Sequence, residues 1–349
     1  MKICGIIAEY NPFHAGHAYQ IKKARELSGA DFVIVAMSGH FVQRGEPAIF
    51  DPYTRAKMAL KGGADAVYMM PSWACKGGAD DFAFAGVSIL DGLGCDYISF
   101  GIEDTNPDEL NNIAEKYLNE SEAVKERIVQ ELKSGKTYAA AIASAYGVRH
   151  LKPNDLLAVS YIKAMKLIDS EMGVIPVERI GHGYDDKELS GKYPSALAIR
   201  EAIKTGEKKA PRGTYPMYAD DFLNRIIANL QLIEGGTYLY ESFDEMVKAN
   251  KHKNDTYTSV ARHYMNLATL SDNEEEDRIY AKLLGFKEGS SKVLKEIKKR
   301  SQIPVVTKPA DDKELVASEA FIQDIYNQEV WNKYRKELPG YHSSQIIVI

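Results

Sequence analysis

The sequence predicts an α/β protein: a doubly wound parallel sheet, followed by a mostly helical C-terminal region. Three observations carry that expectation. Short apolar runs rich in β-branched residues alternate with helical patterns through residue 205, the order expected of successive strand–helix–strand units. Several of these runs are nearly unbroken rather than alternating, which suits strands covered on both faces. Gly206 to Gly213 (GEKKAPRG) then reads as a linker, and helical patterns dominate beyond it. The chain thus divides into 1–205, with a helical insert near 106–150, and a helical region 214–349.

Lys2 to Ala8 forms the first predicted strand, and Asn11-Pro12 stops it, because the residue before a proline is pushed toward extended backbone. A helix is expected from near His14 to about Leu27, with Tyr19, Ile21, Ala24 and Leu27 as its apolar positions. Asp31 to Met37 is a second strand. It ends in Ser38-Gly39-His40-Phe41-Val42-Gln43-Arg44-Gly45-Glu46-Pro47, a loop leaving the same sheet edge as the first turn. Asp51 or Pro52 opens another helix, closed by Gly62-Gly63. Ala66 to Met70 is a third strand, Ala79 to Leu93 a helix of small and apolar residues, and Tyr97 to Phe100 a fourth strand followed at once by Gly101. Asn106 to about Tyr146 reads as two or three solvated helical segments. Pro153-Asn154-Asp155 opens a long helix, Val174 to Ile180 is a fifth strand, and Tyr193 to Arg200 starts a further helix. Beyond the linker, helices are expected over Asp220–Leu232, Ser242–Asn250, Val260–Leu270, Glu275–Leu284 and Lys292–Arg300.

Composition bounds the function. The chain has 349 residues, 45% of them hydrophobic, 27% charged, with a net charge of −5. That is the profile of a folded globular chain and not of a generic polyanion binder, so a nucleic-acid partner needs a local basic face. No apolar run approaches the roughly 18 residues of a membrane span. Met1-Lys2 leads straight into the first strand, leaving no room for a signal peptide, so a cytoplasmic location is expected. Cys4, Cys75 and Cys95 are isolated, which fits a reducing compartment better than a disulfide framework or a cysteine zinc site. Cys4 lies within a strand and is expected in the core.

The stretch with the most chemistry is Ile7-Ala8-Glu9-Tyr10-Asn11-Pro12-Phe13-His14-Ala15-Gly16-His17, continuing into Ala18, Tyr19 and Gln20. Two histidines and a glycine fall where the first strand passes into the first helix. Free backbone N–H groups and the positive helix end favour phosphate there. The glycine allows close approach, and each histidine can donate to a phosphate oxygen, more strongly when protonated. Other readings of the pair are a metal site, since i and i+3 share a helix face, or a purely structural role; no third ligand lies at metal spacing. His40 and Arg44 are either loop residues or contacts to pyrophosphate or RNA. Glu9 is a capping or loop residue or lies near an acyl pocket. Ser195 and Arg200, in the first turns of a helix, form a natural anion site, although Arg200 could equally pair with an acid. Lys287, Lys292, Lys295, Lys298, Lys299 and Arg300 form a basic cluster. With Lys248, Lys251, His252, Lys253 and Arg262 it offers either a phosphate-tracking face or a solvated helix surface. The acidic run Asp272–Asp277 reads as a loop or helix start.

His14-Ala15-Gly16-His17 resembles the HxGH signature of the nucleotidylyl-transferase superfamily, with its Rossmann-like fold. CGIIAEYNPFHAGHAYQI, SGHFVQRGEPAIFDPYTRAKMAL, SFGIED, KPNDLLAVSYIKA, VERIGHGY and SALAIR together resemble the tRNA(Met) cytidine acetate ligase family, most closely over about the first 205 residues. The resemblance implies an ATP-dependent ligase. It activates acetate as acetyl-adenylate, releases pyrophosphate and acetylates N4 of the wobble cytidine of elongator tRNA(Met). It further implies that Ile7 to Gln20 wraps ATP, with His14 and His17 on the phosphates. Gly101, Asn154, Arg179 and Ile180 then complete the nucleotide site. Mg²⁺ accompanies the triphosphate without a metal site of protein side chains. Arg44, Ser195, Arg200, Lys298, Lys299 and Arg300 remain candidate phosphate or RNA contacts. The chain departs from the family at Met69-Met70-Pro71-Ser72 and Gly77-Gly78-Ala79-Asp80, and keeps only part of a YTxTR-type helix at Tyr257–Arg262. Two other classes stay open: a small-molecule nucleotidyltransferase and a non-catalytic RNA-binding descendant.

Overall fold

A computed structural model describes residues 1–349 apart from 104, 137, 148–150, 181–192, 254, 270–277 and 309–316. The acidic run Asp272–Asp277 and the GHGY part of VERIGHGY lie outside the described residues. The first half follows the predicted alternation: β1 (Ile3–Ala8), α1 (Ala15–Ser28), β2 (Phe32–Met37), a hairpin of β3 (Phe41–Val42) and β4 (Glu46–Pro47), and α2 (Pro52–Lys61). Then come β5 (Ala66–Met69), the short α3 (Ser72–Lys76), α4 (Ala79–Gly92), β6 (Tyr97–Ile102) and three insert helices, α5 (Pro107–Leu118), α6 (Glu122–Lys133) and α7 (Tyr138–Tyr146). The long α8 (Pro153–Leu167), β7 (Gly173–Glu178) and α9 (Ala196–Lys204) complete it.

The strands β5-β2-β1-β6-β7 lie side by side and run parallel, with Ile6 of β1 opposite both Val35 of β2 and Ser99 of β6. Chain order reverses about β1, so the crevice for a ligand lies beyond the carboxyl ends of β1 and β6. Successive residues of β1 face opposite layers. Cys4 and Ile6 pack with Ile21, Ala24, Ala56 and Leu60 of α1 and α2, whereas Ile3 and Ile7 pack with Val87 and Leu90 of α4. Helix α4 approaches closely because Gly86 lies on Ile7; a Cβ there would be 2.7 Å from the isoleucine side chain.

The region beyond the linker contains α10 (Leu223–Glu234), α11 (Phe243–Asn250), α12 (Tyr257–Thr269), α13 (Ser291–Arg300) and α14 (Ala317–Tyr334). Two strands interrupt them, β8 (Ala281–Phe286) and β9 (Val305–Val306), and a third, β10 (Ile347–Val348), follows α14. This corrects the helix expected over Glu275–Leu284. Its described part is strand β8, which pairs antiparallel with β5, placing Met69 opposite Lys282, and carries β9 and β10. β8 is buried from Ala281 to Gly285, so its apolar run has no helical face to display. The helices expected over Asp220–Leu232, Ser242–Asn250, Val260–Leu270 and Lys292–Arg300 are found as α10, α11, α12 and α13. The sequence reading named no helix at α14, which joins α10, α11 and α12 in a bundle whose core gathers Phe222, Ile226, Met246, Tyr264, Ile322 and Val330. Val293 and Ile297 of α13 instead belong to the core beside the sheet. The β3–β4 hairpin is wedged against this bundle: Phe41 enters its core, and Gly45, at φ 77°, lies on the α12 backbone at Arg262. Tyr326 of α14 donates to the carbonyl of Ala48 at 2.9 Å.

Candidate active site

Past Ala8 the backbone turns sharply. Tyr10 takes φ 47° and the Asn11–Pro12 bond is cis. Asn11 anchors the turn by accepting from the Ile49 amide at 2.7 Å. A second anchor is Arg55 of α2, fully buried. Its guanidinium donates to the carbonyls of Glu9 (2.5 Å), Phe50 (2.9 Å), Ser38 (3.1 Å) and Gly39. One cation thus ties the ends of β1 and β2 together, and five donors in a fixed fork suit that task.

The two histidines build the entry to α1. His14 is its N-cap, and its Nδ1 accepts from the Gly16 amide at 3.1 Å; His17 Nδ1 accepts from the His14 amide at 3.2 Å. This is a reciprocal capping box made by imidazoles. The rings stack with centroids 3.7 Å apart, and Tyr10 lies 4.7 Å from His17. Since each Nδ1 lone pair is occupied, the proton of each neutral ring sits on Nε2. Desolvation, with help from the Arg179 charge, holds His14 at about 4. Desolvation, the neighbouring His14 and Arg179 hold His17 well below its ordinary range. Both rings are therefore neutral Nε2–H donors at physiological pH. Gly16 serves the ring more than a ligand: a Cβ there would lie 2.9 Å from His14 Cε1.

These groups line a cavity of about 220 Å³ at the carboxyl ends of β1, β6 and β7. Of the residues expected from sequence, the structure brings together on its wall Ile7, Ala8, Glu9, Tyr10, Asn11, His14, Gly16, His17, Tyr19, Gln20, Arg44, Gly101, Asn154, Arg179, Ile180, Ser195 and Arg200. Pro12, Phe13, Ala15 and Ala18 shape the turn without lining it. Phe13 packs edge-on to Tyr10, with centroids 4.9 Å apart, and fills the space above Gly62. On the far wall, Glu103 Oε1 receives Asn154 Nδ2 and lies 3.3 Å from Arg179 Nε. Arg179 also donates to Asn154 Oδ1 at 3.5 Å. Gly101 leaves room for that arginine, whose Cγ would stand 3.1 Å from a Cβ at 101. Arg200 donates to the Asn11 carbonyl at 2.7 Å, and Ser195 caps α9 by accepting from Ala198 at 3.0 Å.

Four residues singled out in the sequence do not line this cavity. Lys298, Lys299 and Arg300 are not at this cavity. Arg300 pairs with Asp96 (3.0 Å) and Glu296 (2.8 Å) and donates to the Gly94 and Met1 carbonyls, at the amino ends of the strands. The exposed Lys298 and Lys299 are on that same helix. His40 is a core residue, 2% exposed, with its ring 5.1 Å from Tyr326.

Sequence reasoning missed Gln43, Phe82, Phe100, Leu157 and Tyr161, which also line the cavity. Asn154, Leu157 and Tyr161 are spaced at i, i+3 and i+7, one face of α8, and that spacing was a usable signal. Phe82 and Phe100 carried none, since an aromatic on a buried wall reads as core. Among the described residues no helix is long and apolar enough to cross a membrane, and no three histidine, cysteine or carboxylate side chains are grouped to hold a metal.

Comparison with known proteins places this geometry. A family model described as HIGH Nucleotidyl Transferase matches residues 1–239 and 236–341. The chain is 36% identical to a tRNA(Met) cytidine acetate ligase of Ligilactobacillus salivarius, covering 88% of this chain and 90% of that protein. It is 31% identical to one of Caldanaerobacter subterraneus subsp. tengcongensis, covering 98% and 99%. The crystal structure of apo Thermotoga maritima TmcAL has the same fold, with a TM-score of 0.84, 24% identity and full coverage of both chains. A second crystal form of that protein, bound with alpha-thio ATP, superposes with a TM-score of 0.80. A match along nearly the whole length, at this identity, means that the chain belongs to the tRNA(Met) cytidine acetate ligase family of HIGH nucleotidyl transferases.

Proposed function

We propose that this protein is an ATP-dependent ligase that converts acetate to acetyl-adenylate and acetylates N4 of the wobble cytidine of elongator tRNA(Met). The observation that carries the chemistry is the pair of neutral, mutually capped histidines with Nε2–H donors at the switch point of the sheet. In the first step a carboxylate oxygen of acetate attacks the α-phosphorus in line and pyrophosphate leaves. His14 and His17 donate to phosphate oxygens as charge shifts onto the leaving group. They are already oriented, so no reorganisation is needed at the moment of reaction. Arg179, fixed by Glu103, and Asn154 hold the nucleoside end against Gly101.

Mg²⁺ bound through the triphosphate would neutralise part of its charge. Such ions are held mainly by phosphate oxygens and water, which fits a wall whose described residues offer the Glu9 and Glu178 carboxylates. The bundle of α10, α11, α12 and α14 is the natural platform for tRNA, because the hairpin bearing Gln43 and Arg44 joins it to the cavity. A tRNA substrate supports a cytoplasmic location.

The test is pyrophosphate release from ATP with acetate, with and without tRNA(Met), followed by nucleoside analysis of the tRNA. Acetate-dependent release together with N4-acetylcytidine is the expected result. Release that ignores acetate and tRNA would point to another acceptor, and ATP binding without turnover would point to an RNA-binding role.

A further inference from the structure

The second half of the reaction needs a proton acceptor. A cytidine amine that attacks a carbonyl carbon becomes strongly acidic and must lose a proton. His14 and His17 are excluded, since their Nδ1 lone pairs are occupied and their Nε2 positions carry hydrogen. Tyr161 is a phenol whose proton is held more tightly by burial and by the nearby Glu9 charge. Among the described residues two carboxylates line the cavity, and Glu178 stands exposed at its rim. Glu9 is inside.

The Glu9 side chain is set deep in the wall yet keeps accessible surface toward the cavity. One carboxylate oxygen, Oε1, accepts from the Gln43 amide at 2.9 Å, which fixes the rotamer. The other oxygen has no hydrogen-bond partner among the described residues. The backbone carbonyl of Glu9 is held by Arg55 at 2.5 Å, so the residue is oriented from both ends. Phe82, Phe100, Leu157 and Ile7 give the cavity an apolar wall of the kind a methyl group fits.

We propose that Glu9 is the catalytic base of acetyl transfer, and that its free carboxylate oxygen also recognises the exocyclic amine of the cytidine. A carboxylate is the natural acceptor for that N4 amine. The proposal rests on the ligase reading above. The amine nitrogen bonds to the carbonyl carbon of acetyl-adenylate, and the carbon–oxygen bond to the phosphate breaks. AMP leaves with that electron pair, and the amine proton passes to Glu9 and then to water.

Several groups set the ionisation of Glu9. Arg44 from the hairpin and Arg200 from α9 favour the charged form, while Glu46 opposes it. Desolvation is the largest influence and raises the pKa above the ordinary carboxylate range. Arg55 of α2, Cys75 of α3 and Tyr161 of α8 face it from the other elements.

The experiment separates the two half-reactions across pH. Acetate-dependent ATP–pyrophosphate exchange reads adenylate formation, and single-turnover acetylation of tRNA(Met) reads transfer. Glu9→Gln keeps the bond from the Gln43 amide through its amide oxygen. Transfer should drop about a hundredfold, the scale of a general base, and exchange far less. The native transfer rate should rise with pH as Glu9 ionises. Glu9→Gln should abolish that limb, and Glu9→Asp should retain it at a lower rate. Equal losses in exchange and transfer, or a native pH limb in Glu9→Gln, would overturn the assignment. Native protein that shows no acetate-dependent exchange would overturn the ligase reading itself, and the assignment with it.

Discussion

At the carboxyl ends of β1, β6 and β7, polar side chains are positioned by short-range contacts and turned inward. Imidazoles cap a helix, and a guanidinium is bracketed by Glu103 and Asn154. At the amino ends of the same strands the polar groups close on each other. Arg300 pairs with Asp96 and Glu296 and binds two backbone carbonyls. Both ends hold cations and carboxylates, so charge content does not tell them apart. What differs is whether donors are left pointing into a space. A run of lysines and arginines in sequence therefore says little about a site until the sheet edge it reaches is known.

Substitutions at the two ends should separate sharply. His14→Ala or His17→Ala removes a pre-oriented donor. Acetate-dependent pyrophosphate release should fall by roughly 10²–10³, and retained release would cancel the contrast at its root. The next effect is in acid. His14 titrates near 4 in the folded chain against an ordinary 6.5. Between those values the unfolded chain binds the extra proton, so stability is complete above about 6.5 and falls as pH drops toward 4. The slope is about 1.4 kcal/mol per pH unit for one proton. Glu9, whose folded pKa is raised, works in the opposite direction over the range just above its unfolded value. Urea midpoints measured from pH 7 to pH 4.5 should show a shallower acid limb in His14→Asn; an unchanged limb would mean that the ring is not held neutral.

Arg179→Ala should raise KM for ATP about tenfold, the scale of one charge-assisted contact, and leave thermal stability nearly intact. Arg300→Ala should do the reverse. Denaturant titration should give a loss of about 1 kcal/mol, discounted for its partial exposure, with KM for ATP unmoved. Smallest of all, Lys298→Ala with Lys299→Ala should shift stability by less than about 0.5 kcal/mol. A large loss of adenylate formation in that double variant would mean that the two ends are coupled after all.

The first half of the fold was legible because its signals are local. Lys2–Ala8 and Asp31–Met37 are dense in β-branched residues, and Asn11-Pro12, Asp51-Pro52 and Gly62-Gly63 punctuate them. The site was legible to the extent that one stretch, Ile7 to Gln20, supplies much of its wall. β8 was not legible, because Lys282 breaks an apolar run that otherwise marks a buried strand. In the folded chain that ammonium lies 3.3 Å from the centre of the Tyr341 ring and donates to the Tyr53 hydroxyl at 2.9 Å. Residues 53 and 341 are far away in sequence, so nothing nearby announces that Lys282 can be buried. Arg55 escaped notice for the same reason: a lone arginine in a helix looks solvated until the carbonyls of Glu9, Ser38 and Gly39 close around it.

The antiparallel partner of β5 is made late. On the ribosome, β5 emerges more than two hundred residues before β8, and until then it presents a bare row of amide and carbonyl groups beside Tyr68 and Met69. Unpaired edges of that kind recruit other strands. The sheet of the nucleotide half is thus completed by a strand from much later in the chain. Cutting the gene after codon 205 would yield an aggregating fragment rather than a minimal ATP-binding unit.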